Sequence, residues 1–486
     1  MKNLTYICWL IALCPITMTH AQSTQQITLH VATAGTLSSI ITPSQRPNIT
    51  NLKLTGKLNG TDIRMIREMA GADIYGNPIQ DAALETLDLS EANIVEGGEA
   101  YCIQRDTAFH YSPNDTTIYV NEVTCYIDYQ YAEQQTWHNG EVNSYTFPPI
   151  GNGSLAYLLA KCSKLKSVKL PYIRQMGSIL YGCTNLTSVN IPNGVKELSY
   201  TFEGCTSLTS VDIPESVTDL SDAFRGCTSL TSVNIPESVT NLFGAFVGCT
   251  SLTSVDIPES VTELPYTFVG CTSLTSVDIP ESVTGLYYAF EGCTSLTSVN
   301  IPESVTNLYG AFFGCTSLTS VDIPESVTGL SGTFRGCTSL TSVDIPESVT
   351  DLFGAFEGCT SLTSVNILGD KTSGDLSNTF KDCPNLRTIR FFSPIPPIPS
   401  KFPELSDNVT IYVPKGSYMS YWVTNWSNYN LAEFDAVGIN TPVRTNKAGV
   451  PKYYSIEGKL LMNPQRGVNI VREADGTTKK VFIQRP

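Results

Sequence analysis

The chain has 486 residues, 41% hydrophobic and 15% charged, an apolar share that supports a buried core and excludes wholesale disorder. Thirty Lys and Arg against 45 Asp and Glu leave a net charge of -15, which repels phosphate backbones and anionic lipid and argues against nucleic-acid binding through a basic patch. The four histidines (His20, His30, His110, His138) all precede the repeats described below, so histidine catalysis and histidine metal ligation are excluded there.

At the start of the chain, Lys2 is followed by an apolar stretch from Tyr6 to Ile16 and then by Thr19-His20-Ala21 before Gln22. A positive start, a short apolar segment and a small-residue junction describe a secretory signal peptide over residues 1–21. An N-terminal core helix and a lipidated Cys14 are the alternatives, the second poorly served by Leu13 before it and Pro15 after it. The expected destination is export, either secreted or attached to the outer cell surface. No later stretch reaches about 18 uninterrupted apolar residues, so no transmembrane segment is expected in the mature chain.

Residues 22–154 read as an N-terminal cap. Two strand patterns, Ile49-x-x-Leu52-x-Leu54 and Leu84-x-x-Leu87-x-Leu89, are separated by a segment starting at Thr61-Asp62, with Ile63, Ile66 and Met69 at helical spacing and Gly71 beyond. That spacing predicts a short capped helix. Residues 101–150 are Tyr-rich, contain Pro148-Pro149, and read as an insertion in the cap. Cys102 and Cys125 fall in this region; whether they pair is left open by their spacing.

From 155 to 390 a repeat takes over. Cysteines stand at 162, 183, 205, 227, 249, 271, 293, 315, 337, 359 and 383, in steps of 22 from Cys183 to Cys359. Seven units run Cys-Thr-Ser-Leu-Thr-Ser-Val-Asp/Asn-Ile-Pro-Glu-Ser-Val-Thr. A fixed period of this length signals a solenoid, in which each unit hides its apolar face only against its neighbours. Within one unit Val211 and Ile213 alternate with Ser210 and Asp212, a strand with one buried face. Pro214 ends regular pairing because it lacks a donor. Val217, Leu220 and Phe224 then recur at spacings of three and four, which suits a helical turn or irregular convex segment. Gly226 suits a tight turn into the next unit. Equivalent cysteines on adjacent rungs lie about 4.8 Å apart with parallel side chains, whereas a disulfide needs facing Cβ atoms near 3.8 Å. The column therefore reads as small buried core thiols, and it cannot form a closed four-ligand zinc cluster.

Residues 391–436 read as a C-terminal cap. A Pro-rich run (Pro394, Pro396, Pro397, Pro399, Pro403) leads to the strand Val409-x-Ile411-x-Val413 and to Tyr418, Tyr421, Trp422 and Trp426, aromatics suited to covering the last rung. Residues 437–486 read as a linker and a small β module, with short alternating strands around Gly458 and Gly467.

The units Gly-Cys-Thr-Ser-Leu-Thr-Ser-Val-x-Ile-Pro-x-Ser-Val-Thr, with Ala/Thr-Phe before the next Gly-Cys, resemble the BspA-type leucine-rich repeats of surface and secreted proteins, though each unit is one residue shorter than usual. Tyr453-x-x-x-x-Gly458-Lys459, Gly467-Val468-x-Ile470-Val471 and Lys479-Lys480-Val481 resemble the C-terminal sorting domain of Bacteroidetes secreted proteins. The resemblance implies an α/β repeat: a leucine-rich-repeat solenoid with a continuous parallel β-sheet on the concave face, plus the small C-terminal β module. It also implies adhesion to host extracellular matrix or bacterial surface proteins, and it transfers no binding residue.

Comparing the units with one another locates candidate contacts. Core and strand positions are constant, while the positions between Thr218 and Gly226 and their equivalents vary. They carry Tyr200, Phe243, Tyr266, Tyr287, Tyr288, Tyr309, Phe313 and Phe353 beside Asp222, Arg225, Arg335 and Glu357. Aromatic and Arg side chains are favoured interface anchors; the competing reading is that these rings fill space between turns. Tyr200, Phe243, Tyr266, Tyr287, Tyr288, Tyr309, Phe353, Arg225 and Arg335 are taken as candidate partner-binding residues. The opposite surface carries an Asp/Asn column (Asp212, Asn234, Asp256, Asp278, Asn300, Asp322, Asp344). Such a column suits carbohydrate hydrogen bonding or, less well, calcium, which wants several oxygens around one ion. A non-catalytic protein-binding scaffold is the expected function and a carbohydrate-binding surface the alternative; no cofactor, metal or catalytic residue is expected.

Overall fold

The computed structural model describes residues 25–112, 115–125, 132–138, 141–147, 155–173, 176–370, 375–434, 452–454, 460–461, 467–472 and 478–483. The expected signal peptide, 1–21, lies outside the described residues.

The N-terminal cap is a set of parallel rungs. Strand β1 (Ile27–Val31) leads through a one-turn helix α1 (Leu37–Ile40) to β2 (Asn51–Leu58), helix α2 (Gly60–Met69) and β3 (Thr86–Ile94). The strands pair in parallel, with Leu29 opposite Leu54 and Leu52 opposite Leu87. Both apolar triplets of the sequence, Ile49/Leu52/Leu54 and Leu84/Leu87/Leu89, are buried. The expected helix is capped as its residues dictate. Asn59 Oδ1 accepts from the Thr61 amide at 3.1 Å, and Asp62 Oδ2 accepts from the Asn59 amide at 3.0 Å, a reciprocal box that satisfies otherwise orphaned donors. Asp62 is itself buried and also accepts from the amides of Gly35 and Leu37 at 2.6 and 2.9 Å. One carboxylate thus ties the first turn of chain to the helix.

Strands β4 (Cys102–Ser112), β5 (Asp115–Cys125), β6 (Ala132–His138) and β7 (Glu141–Phe147) form an antiparallel meander in the expected insertion. Beyond it, β8 (Ser167–Lys169) pairs directly with β3, Leu87 opposite Val168, and β9 (Ser188–Asn190) pairs with β8. The meander therefore leaves and rejoins the stack between neighbouring rungs.

In the repeat array the buried positions are those the pattern selects. Cys205, Leu208, Val211, Ile213, Val217, Leu220, Ala223 and Phe224 are buried, and the pattern recurs rung after rung. The rungs are held together on two sides, unequally. On the turn side, the amides of Leu220, Asp222, Phe224 and Gly226 donate to the carbonyls of Asn241, Phe243, Ala245 and Val247 of the following rung at 2.7–3.0 Å. On the strand side of the central units, pairing shrinks to isolated bridges such as Asp256 with Asp278 and Asp278 with Asn300, and cross-rung bonds lengthen to 3.5 Å for Thr253 to Thr231. Regular pairing resumes in β10 (Ser342–Ile345), β11 (Ser364–Ile367) and β12 (Thr388–Phe391). The solenoid is present, but its sheet consists of two five-stranded parallel segments with loosely bridged rungs between them. The proline after each Val-Asp/Asn-Ile removes a donor and keeps each strand short, in the paired β10 before Pro346 as in the bridged central rungs. Among the described residues of the repeats no helix forms; the return segments are turns.

Two columns run through the array. Phenylalanines 202, 224, 246, 268, 290, 312, 334, 356 and 380 stack with centroids 5.4–5.9 Å apart and planes within 10°, an offset arrangement favoured by the ring quadrupole. Beside them the cysteines are buried and unbonded to one another, as their rung geometry predicts. From Cys183 to Cys383 each thiol donates to a backbone carbonyl of an earlier rung: Cys249 Sγ reaches the Phe224 carbonyl at 3.1 Å, and that same oxygen accepts the Cys227 amide at 2.9 Å. The thiol is a small cross-rung hydrogen-bond donor as well as filler.

The C-terminal cap continues the sheet through β13 (Thr410–Pro414) and β14 (Asn430–Phe434), with helix α3 (Tyr418–Trp422) between them. The prolines are gripped by aromatics: Trp426 Nε1 donates to the Pro397 carbonyl at 2.7 Å, Tyr421 Oη to that of Ser393 at 2.9 Å and Tyr429 Oη to that of Pro403 at 2.7 Å. Tyr421 and Trp426 are buried as expected of a cap, whereas Trp422 is exposed and stacks on Tyr418. Near the C-terminus, β15 (Lys452–Tyr454), β16 (Leu460–Leu461), β17 (Gly467–Arg472) and β18 (Thr478–Ile483) form an antiparallel sheet in the order β16-β15-β17-β18.

The thiol column has a measurable consequence. Burial pushes Cys249 and Cys337 up to about 12 and Cys383 to about 11, against roughly 8.5 for an unfolded thiol. Between those values the folded chain keeps protons that the unfolded chain releases, so the stabilisation is complete below about pH 8.5 and declines toward pH 12. The urea midpoint is expected to fall steadily across that window, and a thiol reagent at pH 8 to label the column only after unfolding. A midpoint independent of alkaline pH contradicts this account.

Candidate functional site

The variable stretch of each rung places two consecutive positions on the turn side, the first exposed or half-buried and the second ranging from the exposed Tyr200 to the buried Asp222. The first is occupied in successive rungs by Ser221, Phe243, Pro265, Tyr287, Tyr309, Ser331 and Phe353. The second has a left-handed backbone in eight successive rungs: Tyr200 (φ 56°), Asp222 (49°), Gly244 (59°), Tyr266 (54°), Tyr288 (50°), Gly310 (61°), Gly332 (62°) and Gly354 (59°). The turn demands this conformation, and glycine meets it without a Cβ penalty. A tyrosine held there costs about 1–2 kcal/mol. Half of these rungs use glycine; three carry tyrosine.

These positions bring five predicted residues into one body. Phe243 meets Tyr266 edge-on at 5.8 Å, Tyr266 lies parallel to Tyr288 at 5.5 Å, and Tyr287 lies parallel to Tyr309 at 5.3 Å. Tyr287 crosses Tyr288 at 4.9 Å and 84°, and Tyr288 meets Tyr309 at 5.4 Å. The result is two short stacks interlocked at right angles, a ridge of rings across four rungs. Phe243, Tyr287 and Tyr309 are each about two-fifths exposed. The rings therefore pack between turns, as the space-filling reading expects, and also present surface.

Hollows flank the ridge. On one side Tyr288, Tyr309, Phe313, Phe353, Glu291 and Arg335 line an open cavity of about 260 Å³. On the other, Tyr287, Pro265, Gly285, Glu263 and Asn307 line one of about 230 Å³. Arg335 sits 5.6 Å from the Phe313 ring centre and 3.3 Å from Glu357, which Lys381 also approaches at 3.2 Å. Burial raises the Glu291 carboxyl above its ordinary range. Burial and then a hydrogen bond with Tyr309 push the Tyr288 phenol up to about 12, and a hydrogen bond with Tyr287 raises Tyr266. At neutral pH the ridge is thus uncharged, rich in hydroxyls and rimmed by carboxylates.

Phe353 and Arg335 join this surface across the larger hollow. Tyr200 and Arg225 are brought together instead with Asp222 and Glu203, Arg225 standing 3.4 Å from Asp222 and 3.9 Å from Glu203. Glu291 was missed because a lone acidic residue at a variable position carries no pattern. On the strand side, Asn366 Nδ2 donates to Asp344 Oδ1 at 2.7 Å. Among the described residues no group of three or more His, Cys, Asp or Glu side chains could hold a metal ion, and no helix is long and apolar enough to cross a membrane.

A pair of glycines tests the ridge. A Cβ on Gly310 would fall 2.4 Å from Tyr288 Cε1, whereas one on Gly332, with nearly the same φ, meets nothing within 4 Å. Gly332→Ala is expected to cost only the backbone strain of about 1–2 kcal/mol, and Gly310→Ala about 1–3 kcal/mol more from overpacking, in urea unfolding. Near-UV circular dichroism of the tyrosines should change only in Gly310→Ala; equal effects in both variants refute the packing described.

Comparison with known proteins places the repeats. A family profile described as the BspA type leucine rich repeat region, in six copies, matches residues 106–200, 130–244, 199–309, 243–352 and 310–416. Among solved structures, a leucine-rich repeat protein from Bacteroides ovatus is 23% identical, covering 68% of this chain and 98% of its own, with a TM-score of 0.40. A leucine rich cell surface protein from Faecalibacterium prausnitzii is 24% identical, covering 59% and 95%, with a TM-score of 0.33. A leucine rich repeat protein from T. pallidum is 29% identical, covering 36% and 73%, with a TM-score of 0.26. No curated protein matches the chain.

Proposed function

The chain belongs to the BspA-type leucine-rich repeat family, and on that premise we propose that it is an exported, surface-attached or secreted scaffold that binds other proteins through its tyrosine ridge. The observation that carries this reading is the backbone of Tyr266 and Tyr288. Each holds a bulky side chain in a left-handed conformation that four sister rungs assign to glycine, two others using Tyr200 and Asp222, and local strain of this kind concentrates at functional positions. Rigid, half-exposed aromatics beside open hollows suit hot-spot contacts. The rim carboxylates Glu263 and Glu291, on a chain of net charge -15, favour partners that present Lys or Arg.

The partners belong to the same proposal: host extracellular matrix proteins or proteins on neighbouring bacterial cells. So do export through residues 1–21 and retention by the C-terminal residues as a sorting module. Catalysis has no part in it.

Immobilised matrix proteins and intact bacterial cells, probed with the purified full chain, provide the test. The double variant Tyr287→Ser/Tyr288→Ser is expected to bind at least tenfold more weakly, about 1.4 kcal/mol or more, with its urea midpoint little changed. Binding should also weaken as salt rises. Unchanged affinity removes the ridge from the interface. A glycan array that responds while every protein ligand fails replaces this reading with carbohydrate binding.

A further inference from the structure

Cys102 and Cys125 are set apart from the eleven cysteines of the column. They open and close the first hairpin of the meander and stand directly opposite each other in the antiparallel register of β4 and β5. Residues so opposed have Cα atoms about 4.5–5.5 Å apart, inside the 4.4–6.8 Å range that a disulfide spans. Both side chains are buried, and their thiols are hydrogen-bonded to each other. This is the facing geometry that the column lacks, where each thiol from Cys183 to Cys383 points instead at a carbonyl of an earlier rung.

The pair sits where the meander joins the stack. The Tyr101 amide donates to the Cys125 carbonyl at 3.1 Å, the Ile103 amide to Ile74 at 2.6 Å, and Tyr101 Oη to Ala156 at 2.7 Å. Arg67 of α2 lies buried alongside, its guanidinium donating to the carbonyls of Tyr157, Leu158 and Asp73 while its Nε has no hydrogen-bond partner. The hydrogen bond from Cys125 and the charge of Arg67 favour the thiolate of Cys102. A thiolate is the attacking species in disulfide exchange.

We propose that Cys102 and Cys125 form an intrachain disulfide that closes the base of the first hairpin where the meander joins the cap, made as the chain folds in the presence of a disulfide oxidant. The step balances as thiol–disulfide exchange. The Cys102 thiolate attacks one sulfur of the oxidant, forming a mixed disulfide and expelling the first thiolate. Cys125 then loses its proton and attacks the Cys102 sulfur, expelling the second. Two electrons pass to the oxidant, which leaves as two thiols, and the protein loses two hydrogens. The proposal is independent of the tyrosine ridge and of any ligand.

The sequence supplies a clean test. Trypsin releases Cys102 in the peptide Glu68–Arg105 and Cys125 in Asp106–Lys161, each with no other cysteine. The full chain is unfolded in reductant, refolded with either dithiothreitol or a reduced/oxidised glutathione mixture, alkylated in denaturant and digested. After glutathione refolding, mass spectrometry should find these two peptides joined and lighter by two hydrogens than their sum, and separated again by reduction; the column cysteines should all carry the alkyl group. Cys125→Ser, refolded the same way, should retain glutathione on Cys102. Two alkylated peptides after oxidative refolding, or Cys102 joined to a column cysteine, overturn the proposal. The wild-type readout stands even if the variant fails to fold.

Discussion

A single rung of this protein has neither a core nor a complete set of hydrogen bonds until another rung lies against it. The Phe224 ring is covered above and below by Phe202 and Phe246, and the Phe224 carbonyl is shared between the amide of Cys227 and the thiol of Cys249. Register between rungs is therefore not free to drift: a shift by one residue would separate every ring, thiol and amide from its partner together. The unbroken 22-residue step is that requirement written in sequence, and the caps follow from it. Each end of the stack must cover a rung whose outer face has no successor; toward the C-terminal end Tyr421 and Trp426 pack on Phe391, and at the other end the outermost rung is β1, whose return segment buries Leu37 and Ile41.

The turn-side amides explain where variation is allowed. Because residues such as Leu220, Asp222, Phe224 and Gly226 bind the next rung through backbone atoms, the side chains at 221 and 222 and their equivalents are free to vary, even though Asp222 itself is buried. Serine, proline, aspartate, glycine and aromatic residues all occur there without disturbing the period. Against that freedom, the tyrosines of the ridge stand out: two accept a backbone conformation that glycine adopts at no cost. They are also mutually dependent, since the Tyr288 ring lies over the bare Cα of Gly310 and any side chain there would collide with it.

Much of this was legible from residue order. The cysteine spacing announced rungs, the alternation of Val211 and Ile213 announced a buried face although no regular strand forms there, and Thr61-Asp62 announced a helix start, which came within a residue of its observed position because the capping chemistry is local. Three things were not legible. The thinning of the sheet in the central rungs depends on the balance between strand-side and turn-side hydrogen bonds, which periodicity does not express. The left-handed turn position was hidden because Tyr266 and Tyr288 look like ordinary variable residues until their φ angles are known. The opposition of Cys102 and Cys125 depends on where a hairpin turns, and neither cysteine carries that information alone. Tyr200 and Arg225 went to a separate polar cluster for a related reason: Asp222 and Glu203 draw the arginine toward their charges.

The graded coupling of the rungs has a mechanical meaning. Neighbours are held by a few short backbone bonds at one edge and looser bridges at the other, and nothing spans more than adjacent layers. Tension applied at the two ends of such a stack is relieved one layer at a time, each release lengthening the tether while the remaining layers stay intact. A molecule built this way yields under load as a shock absorber does.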